Sequence, residues 1–295
     1  MKFTFLGTAA SEQYPAIFCS CEYCQKARER GGRNVRVCSS AYLEPDCLID
    51  CNPGTVTRAQ EFGVFLPAIE RLLVTHSHAD HFAPGVIRCR RMNAGVKLPV
   101  TPEDRKTVMG VRFCELPMLH VYGTEAVCQG LRENGQDPDP EVLRIQLHCV
   151  DYFGTFEAGD MRCVALKADH NQGKGVSATP GLNYIIQRGG KTILYALDTG
   201  WFLDETLQKI CEFQYDLVVM DATFGLGRKD PKAHMNLPLV EKALHLFRER
   251  RLLKEGAPFC ATHICPHWTP IHDEIAPIMA AKGITVAYDG LSIIL

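Results

Sequence analysis

The sequence predicts a mixed α/β fold in which strands dominate and helices punctuate them. Three observations carry this. Short apolar runs of strand character recur in both halves of the chain. Amphipathic helical patterns lie between the later runs. Residues with metal-binding chemistry stand where several of the runs end.

Residues 2–6 alternate and read as a first strand ending at Gly7. The apolar stretch in residues 1–10 is too short for a signal peptide. Residues 41–50 read as a second strand with a turn at Glu44-Pro45-Asp46. Residues 71–75 form a short apolar run leading directly into a histidine cluster. Residues 161–168, 182–187 and 191–197 look like strands, and Arg188-Gly189-Gly190 makes the last two a hairpin. Residues 215–221 read as a buried strand ending in a carboxylate, and 259–263 and 285–288 complete the set. Helical patterns cover 205–213, after an acidic start, and 237–253, with Leu239, Leu244 and Phe247 at helical spacing. A third covers 270–282 and ends at Gly283. Segment 83–145 is the least legible and is expected to hold helices that cover or gate the site. No repeat, low-complexity stretch or linker breaks the chain, so residues 1–295 are expected to form one domain.

With 46% hydrophobic and 22% charged residues, the chain has enough apolar material for a full core. A net charge of −2 gives no electrostatic case for nucleic acid or membrane surfaces. The basic clusters Arg88-Cys89-Arg90-Arg91 and Arg248-Glu249-Arg250-Arg251 are short and read as solvated helix faces. No apolar run approaches the roughly 18–20 residues that span a bilayer. The expected location is therefore the cytoplasm, where the 14 cysteines would be thiols, some of them metal ligands. Cys47, Cys89, Cys114, Cys128, Cys149, Cys163, Cys211 and Cys260 lie alone in the sequence and read as small core residues.

Thr75-His76-Ser77-His78-Ala79-Asp80-His81 holds three histidines and an aspartate within six residues. Imidazole and carboxylate suit zinc, manganese and iron. In an extended segment His76 and His78 point the same way and can grip one metal. Asp80 and His81 follow after the chain turns, toward a helix start, and would face a second. His-x-His-x-Asp-His after a strand resembles the signature of the metallo-β-lactamase fold superfamily. The resemblance implies a four-layer αββα sandwich with metals at one edge, and three further ligands downstream. His170, Asp198 and His263 stand at strand ends in the right order. By that resemblance His76, His78 and His170 hold one metal, Asp80, His81 and His263 hold the other, and Asp198 bridges them. Zinc or manganese is expected, with iron also compatible.

Cys19-Ser20-Cys21-Glu22-Tyr23-Cys24 can fill three corners of a zinc tetrahedron. This loop resembles the structural zinc site of the phosphoribosyl cyclic phosphodiesterase family of the carbon–phosphorus lyase pathway. Leu6-Gly7-Thr8, Cys38-Ser39-Ser40, Leu48-Ile49-Asp50 and Thr262-His263-Ile264 fit that family as well. In the family a histidine three residues after the last active-site histidine completes the zinc site. Here that position is Pro266; His267 becomes the match with a one-residue insertion, and Cys265 would instead make a Cys₄ site. His267 is the favoured fourth ligand.

The resemblance implies hydrolysis of a small, cyclic or linear, phosphodiester by hydroxide held between two metals, with Asp80 and His234 as the catalytic residues. His234 would serve the leaving oxygen. Asp221 and Asp50 are expected to support histidines rather than act on substrate. Competing readings are a tRNA 3′-processing nuclease, a thioesterase, a lactamase, a flavodiiron-type redox protein, or a non-catalytic biosynthesis protein. The chain lacks a basic RNA-gripping arm, and His78 stands where the redox branch has glutamate. A homodimer is compatible with the sequence.

Overall fold

A computed structural model of the chain describes residues 1–92, 116–140, 143–170, 181–228 and 231–295. Its strands are, in chain order, β1 (Lys2–Gly7), β2 (Ser40–Leu43), β3 (Cys47–Ile49), β4 (Arg71–Leu73), β5 (Leu119–Gly123), β6 (Ile145–Cys149) and β7 (Thr155–Ala158). They continue as β8 (Met161–Lys167), β9 (Leu182–Arg188), β10 (Lys191–Ala196), β11 (Leu217–Asp221), β12 (Phe259–Thr262), β13 (Thr285–Val286) and β14 (Ser292–Ile294). The helices are α1 (Glu22–Arg30), α2 (Pro53–Glu61), α3 (Pro84–Arg88), α4 (Glu125–Leu131), α5 (Asp204–Ile210), α6 (Leu237–Glu249) and α7 (His272–Ala280).

Among the described residues the strands form two sheets, ordered β14-β1-β2-β3-β4-β5-β6 and β13-β12-β11-β10-β9-β8-β7. Strict alternation along the strands assigns the layers. Phe3, Phe5 and Ile49 of the first sheet meet Cys163, Tyr184, Tyr195 and Val219 of the second in one apolar core. Burying each large side chain there contributes roughly 1.5–3 kcal/mol. The alternate residues face outward. Leu48, Leu72 and Val121 pack on Ala59, Val127 and Leu131 from α2 and α4. Leu194, Val218 and Met220 pack on Val240, Leu244, Phe247 and Ile275 from α6 and α7. The result is the expected αββα sandwich.

Both sheets contain a parallel block: β3, β4, β5 and β6 in one, β10, β11, β12 and β13 in the other. Parallel strands deliver their carboxyl ends to one edge, where open α/β sheets gather their sites. The β9–β10 hairpin turns at Gly189-Gly190, opposite the end of β10 that leads to Asp198. Two bonds join the sheets at the functional edge. The Tyr184 hydroxyl donates to the Val74 carbonyl at 2.7 Å, and the Leu182 amide to the Thr75 carbonyl at 2.8 Å.

Some elements differ from expectation. Residues 41–50 form two strands, separated by the turn that contains Pro45. Within 83–145, β5 extends the first sheet and leads to β6, which starts at the segment's end, so the segment helps build a sandwich edge besides supplying α3 and α4; residues 93–115 and 141–142, Cys114 among them, lie outside the described residues. α3 begins at Pro84, so Asp80 and His81 stand in a turn before it. Cys89 and Cys149 are exposed and Cys211 half-buried, unlike the core positions expected of them. α1 escaped the sequence reading because it buries only Cys24 and Ala27.

A buried polar network ties the N-terminal region to α7. Arg36 is only 1% exposed, and its guanidinium donates to Thr8 Oγ1 at 2.9 Å, to the Ala287 carbonyl, and to His272 Nδ1 at 2.9 Å. A guanidinium has only donors, so His272 Nδ1 accepts and the ring is neutral. Burial, then the charges of Arg36 and Arg33, push His272 down to about 4. The folded state therefore binds fewer protons than the unfolded chain between pH 6.5 and about 4. This contribution to stability is present above pH 6.5 and is lost as the pH falls through about 4. His272→Asn keeps an acceptor but does not titrate. Its Tm is expected to fall less than wild type over that interval; parallel falls would exclude His272 as the source.

Candidate metal centre

The histidine loop is held by its neighbours before any ligand is considered. After β4, the Thr75 amide and hydroxyl donate to Asp50 Oδ1 at 2.8 and 2.9 Å. The His81 and Phe82 amides bond back to the His78 carbonyl, which turns the chain. Asn52 caps α2 through Oδ1, and its amide group donates to the Asp80 carbonyl at 2.9 Å. Asp50, Asp198 and His263 each follow a strand with φ of 60°, 47° and 61°. Side chains disfavour this left-handed region by roughly 1–2 kcal/mol, less for aspartate, and such strain gathers at functional sites.

The structure brings all seven expected ligands together in two groups. His76 Nε2 lies 2.9 Å from His78 Nδ1, which lies 3.4 Å from His170 Nε2. Asp198 Oδ1 faces this group at 4.0 Å from His76 and 3.9 Å from His170. In the second group His81 Nε2 lies 3.1 Å from His263 Nε2 and 3.3 Å from Asp80 Oδ2. Asp198 Oδ2 faces it at 2.8 Å from His81 and 3.2 Å from His263. Donors on a tetrahedral zinc stand about 3.3 Å apart, so both groups have the right size.

The outward nitrogens show what the inward ones offer. His81 Nδ1 donates to Asp50 Oδ2 at 2.7 Å and His170 Nδ1 to the Ala233 carbonyl at 3.1 Å. Thr223 Oγ1 spends its hydrogen on Asp221 Oδ1, so it accepts from His263 Nδ1 at 2.7 Å. Thr75 Oγ1, likewise committed to Asp50, accepts from His76 Nδ1 at 3.1 Å. With the outward nitrogens donating, neutral rings turn four Nε2 acceptors inward, an arrangement that repels unless a cation or a proton lies between them. Asp198 Oδ2 is buried and receives no well-formed hydrogen bond despite its close imidazole neighbours. The cluster fits a metal site.

Electrostatics agree. Burial opposes ionisation of Asp198, yet His263, His81 and His76 outweigh it and hold the carboxyl well below its ordinary value. Burial likewise opposes Asp80 ionisation, and His81 and His263 overcome it. Burial alone would keep His81 neutral, but Asp198, Asp80 and Asp50 push it well above its usual range. Burial lowers His76 and His170. The centre calls for positive charge, and convergent nitrogen and oxygen donors suit a divalent ion.

His234 stands beside the ligands. Its Nδ1 lies 2.8 Å from Asp221 Oδ2 and 3.8 Å from Asp198 Oδ1, and its ring stacks on His263 at 5.7 Å. Burial disfavours its cation, but Asp221 outweighs burial and raises it to about 9. Asp50 supports His81, while Asp221 holds His234 and reaches His263 through Thr223. Thr75, Thr223 and Asn52 were missed in the sequence; only their positions beside ligand-bearing strand ends offered a signal.

Cys19, Cys21 and Cys24 converge at the start of α1, their donors within 4.8 Å of one another. The Cys21 amide donates to Cys19 Sγ at 3.4 Å and the Ala16 amide to Cys24 Sγ at 3.4 Å. The Cys21 backbone, then the side chains of Cys21 and His267, lower the Cys19 thiol to about 6. Cys265 Sγ lies 3.7 Å from His267 Nδ1. His267 reaches Cys19, whereas the donor of Cys265 gathers with those of His267 and Glu12.

Residues 46–264 match the family model of the beta-lactamase superfamily domain. The chain belongs to the metallo-β-lactamase superfamily. A new diphosphatase from the PhnP family superposes with a TM-score of 0.68 at 20% identity, over 99% of this chain and 96% of that one. Zn²⁺-bound PqqB from Methylobacterium extorquens gives 0.71 at 18% identity, with both chains covered fully. Human tRNase Z, short form, gives 0.61 at 17% identity, over 100% and 99%. At such identities these superpositions show the fold alone. No curated protein matches the sequence significantly. No helix among the described residues is long and apolar enough to cross a membrane.

Proposed function

We propose that this superfamily member is a metal-dependent phosphodiesterase acting on a small phosphodiester, cyclic or linear. The observation that carries the reading is His234, fixed by Asp221 at 2.8 Å and placed 3.8 Å from the carboxylate shared by the two donor groups. A proton donor beside a two-cation site is what expulsion of an alkoxide requires.

His76, His78 and His170 would hold one divalent ion, Asp80, His81 and His263 the other, with Asp198 between them. Zinc or manganese suits these donors, as does iron. When bound, the ions would supply an activated water and positive charge for the phosphoryl oxygens. Asp50, Thr75 and Thr223 orient the imidazoles, so that little reorganisation is needed on loading. Asp80, a ligand in this reading, lies on the reacting edge as well. His234 Nδ1 is committed to Asp221, leaving Nε2 to give a proton to the departing oxygen. Cys19, Cys21, Cys24 and His267 would hold a separate structural zinc.

His234→Ala is expected to lower turnover roughly 10²–10⁴-fold with metal content unchanged. Unchanged turnover would remove the role. The reading as a whole is tested by metal analysis paired with bis(p-nitrophenyl) phosphate, a cyclic ribose phosphate, a thioester and a β-lactam. Diester turnover is expected; thioester or lactam turnover without it would overturn the reading.

A further inference from the structure

The loop between β11 and α6 packs against the segment after His263 and forms a small aromatic and cationic cluster. Phe224 meets His234 edge-on at 5.5 Å and Trp268 at 6.2 Å. The Arg228 guanidinium lies 4.5 Å from the Phe224 ring centre and 5.9 Å from that of Trp268. The backbone is shaped for this contact. A Cβ at Gly227 would strike the Trp268 ring, and one at Gly225, whose φ is +43°, would strike Thr269 Oγ1. The Leu226 amide donates to the Trp268 carbonyl at 3.0 Å, and Asn236 Nδ2 holds the Arg228 carbonyl at 2.7 Å.

Two features remain unspent. Trp268 is 39% exposed although its ring packs on Gly227 and its carbonyl is bonded. Among the described residues no carboxylate pairs with exposed Arg228. Folding alone favours neither an exposed indole nor a guanidinium that finds no carboxylate among the described residues. Together they offer a π-face and a fork of N–H donors, which match a planar heterocycle and a phosphoryl group.

We propose that Phe224, Arg228 and Trp268 form a nucleoside diphosphate subsite: the base stacks on Trp268, one phosphoryl group binds Arg228, and the other lies at the metal centre. This rests on the phosphodiesterase reading for the second phosphoryl position and extends it, because a nucleoside diphosphate is a phosphoanhydride rather than a simple diester. The cluster borders that centre ring by ring: Phe224 meets His234 at 5.5 Å, and His234 stacks on His263 at 5.7 Å.

The test is calorimetric titration of the metal-loaded protein with adenosine 5′-(α,β-methylene)diphosphate and, separately, with methylenediphosphonate. Trp268→Leu and Arg228→Ala are each expected to weaken the nucleotide about 10-fold. Trp268→Leu should leave methylenediphosphonate binding unchanged, because that probe has no base. Hydrolysis of methyl p-nitrophenyl phosphate should stay within about twofold of wild type in both variants. Equal nucleotide binding by wild type and both variants overturns the subsite, as does an equal loss of methyl ester hydrolysis. Nucleotide binding with the expected losses, but no diester hydrolysis by wild type, upholds the subsite and overturns the phosphodiesterase reading. Diester hydrolysis without nucleotide binding does the reverse.

Discussion

Asp198→Asn is expected to remove at least one metal ion per chain and to lower turnover by roughly 10³-fold or more. Among the described residues, the carboxylate is the only side chain whose two oxygens address both nitrogen groups, at 2.8 Å from His81 on one side and 3.9 Å from His170 on the other. Asparagine has nearly the same shape and tolerates the left-handed φ of 47°. The fold should therefore persist, and a circular dichroism spectrum should match wild type. What changes is charge: one carboxylate oxygen becomes an NH₂ group, which carries no negative charge and has no lone pair to offer a cation. Metal analysis beside an initial-rate assay decides the matter. Full metal content with full turnover would show that the two groups are not bridged.

The second large effect concerns a site away from the chemistry. Cys21→Ser is expected to lose one zinc ion per chain, to lower Tm by roughly 5 °C or more, and to lower activity. His263 and His267 belong to one short segment, and the same segment carries Trp268. The triplet also anchors the start of α1, whose helix offers little apolar burial of its own. Releasing the zinc should loosen both ends of this connection. A zinc-depleted variant with full activity would sever the two sites functionally.

The metal-centre residues were legible because their chemistry is dense and local. His76, His78, Asp80 and His81 lie within six residues, after an apolar run that β4 confirms as a strand. His170, Asp198 and His263 required the family resemblance, since a lone histidine at a strand end carries no spacing to read. The supporting hydroxyls were not legible. Thr75 and Thr223 matter only through partners that folding brings to them from elsewhere in the chain. The same holds for Trp268, whose contact with Gly227 spans β12 and α6. Edge strands β7 and β14 went unread because half of their side chains face solvent and break the apolar signal.

The β9–β10 hairpin has a practical consequence. Gly189 and Gly190 are exposed at its tip, with open space around both. β10 then runs its length before reaching Asp198, about 20 Å at ordinary strand rise. A peptide graft or a surface tether placed between these glycines would hold the molecule by its far end. The reacting edge would face the bulk solution, which makes the hairpin the natural handle for immobilising this protein.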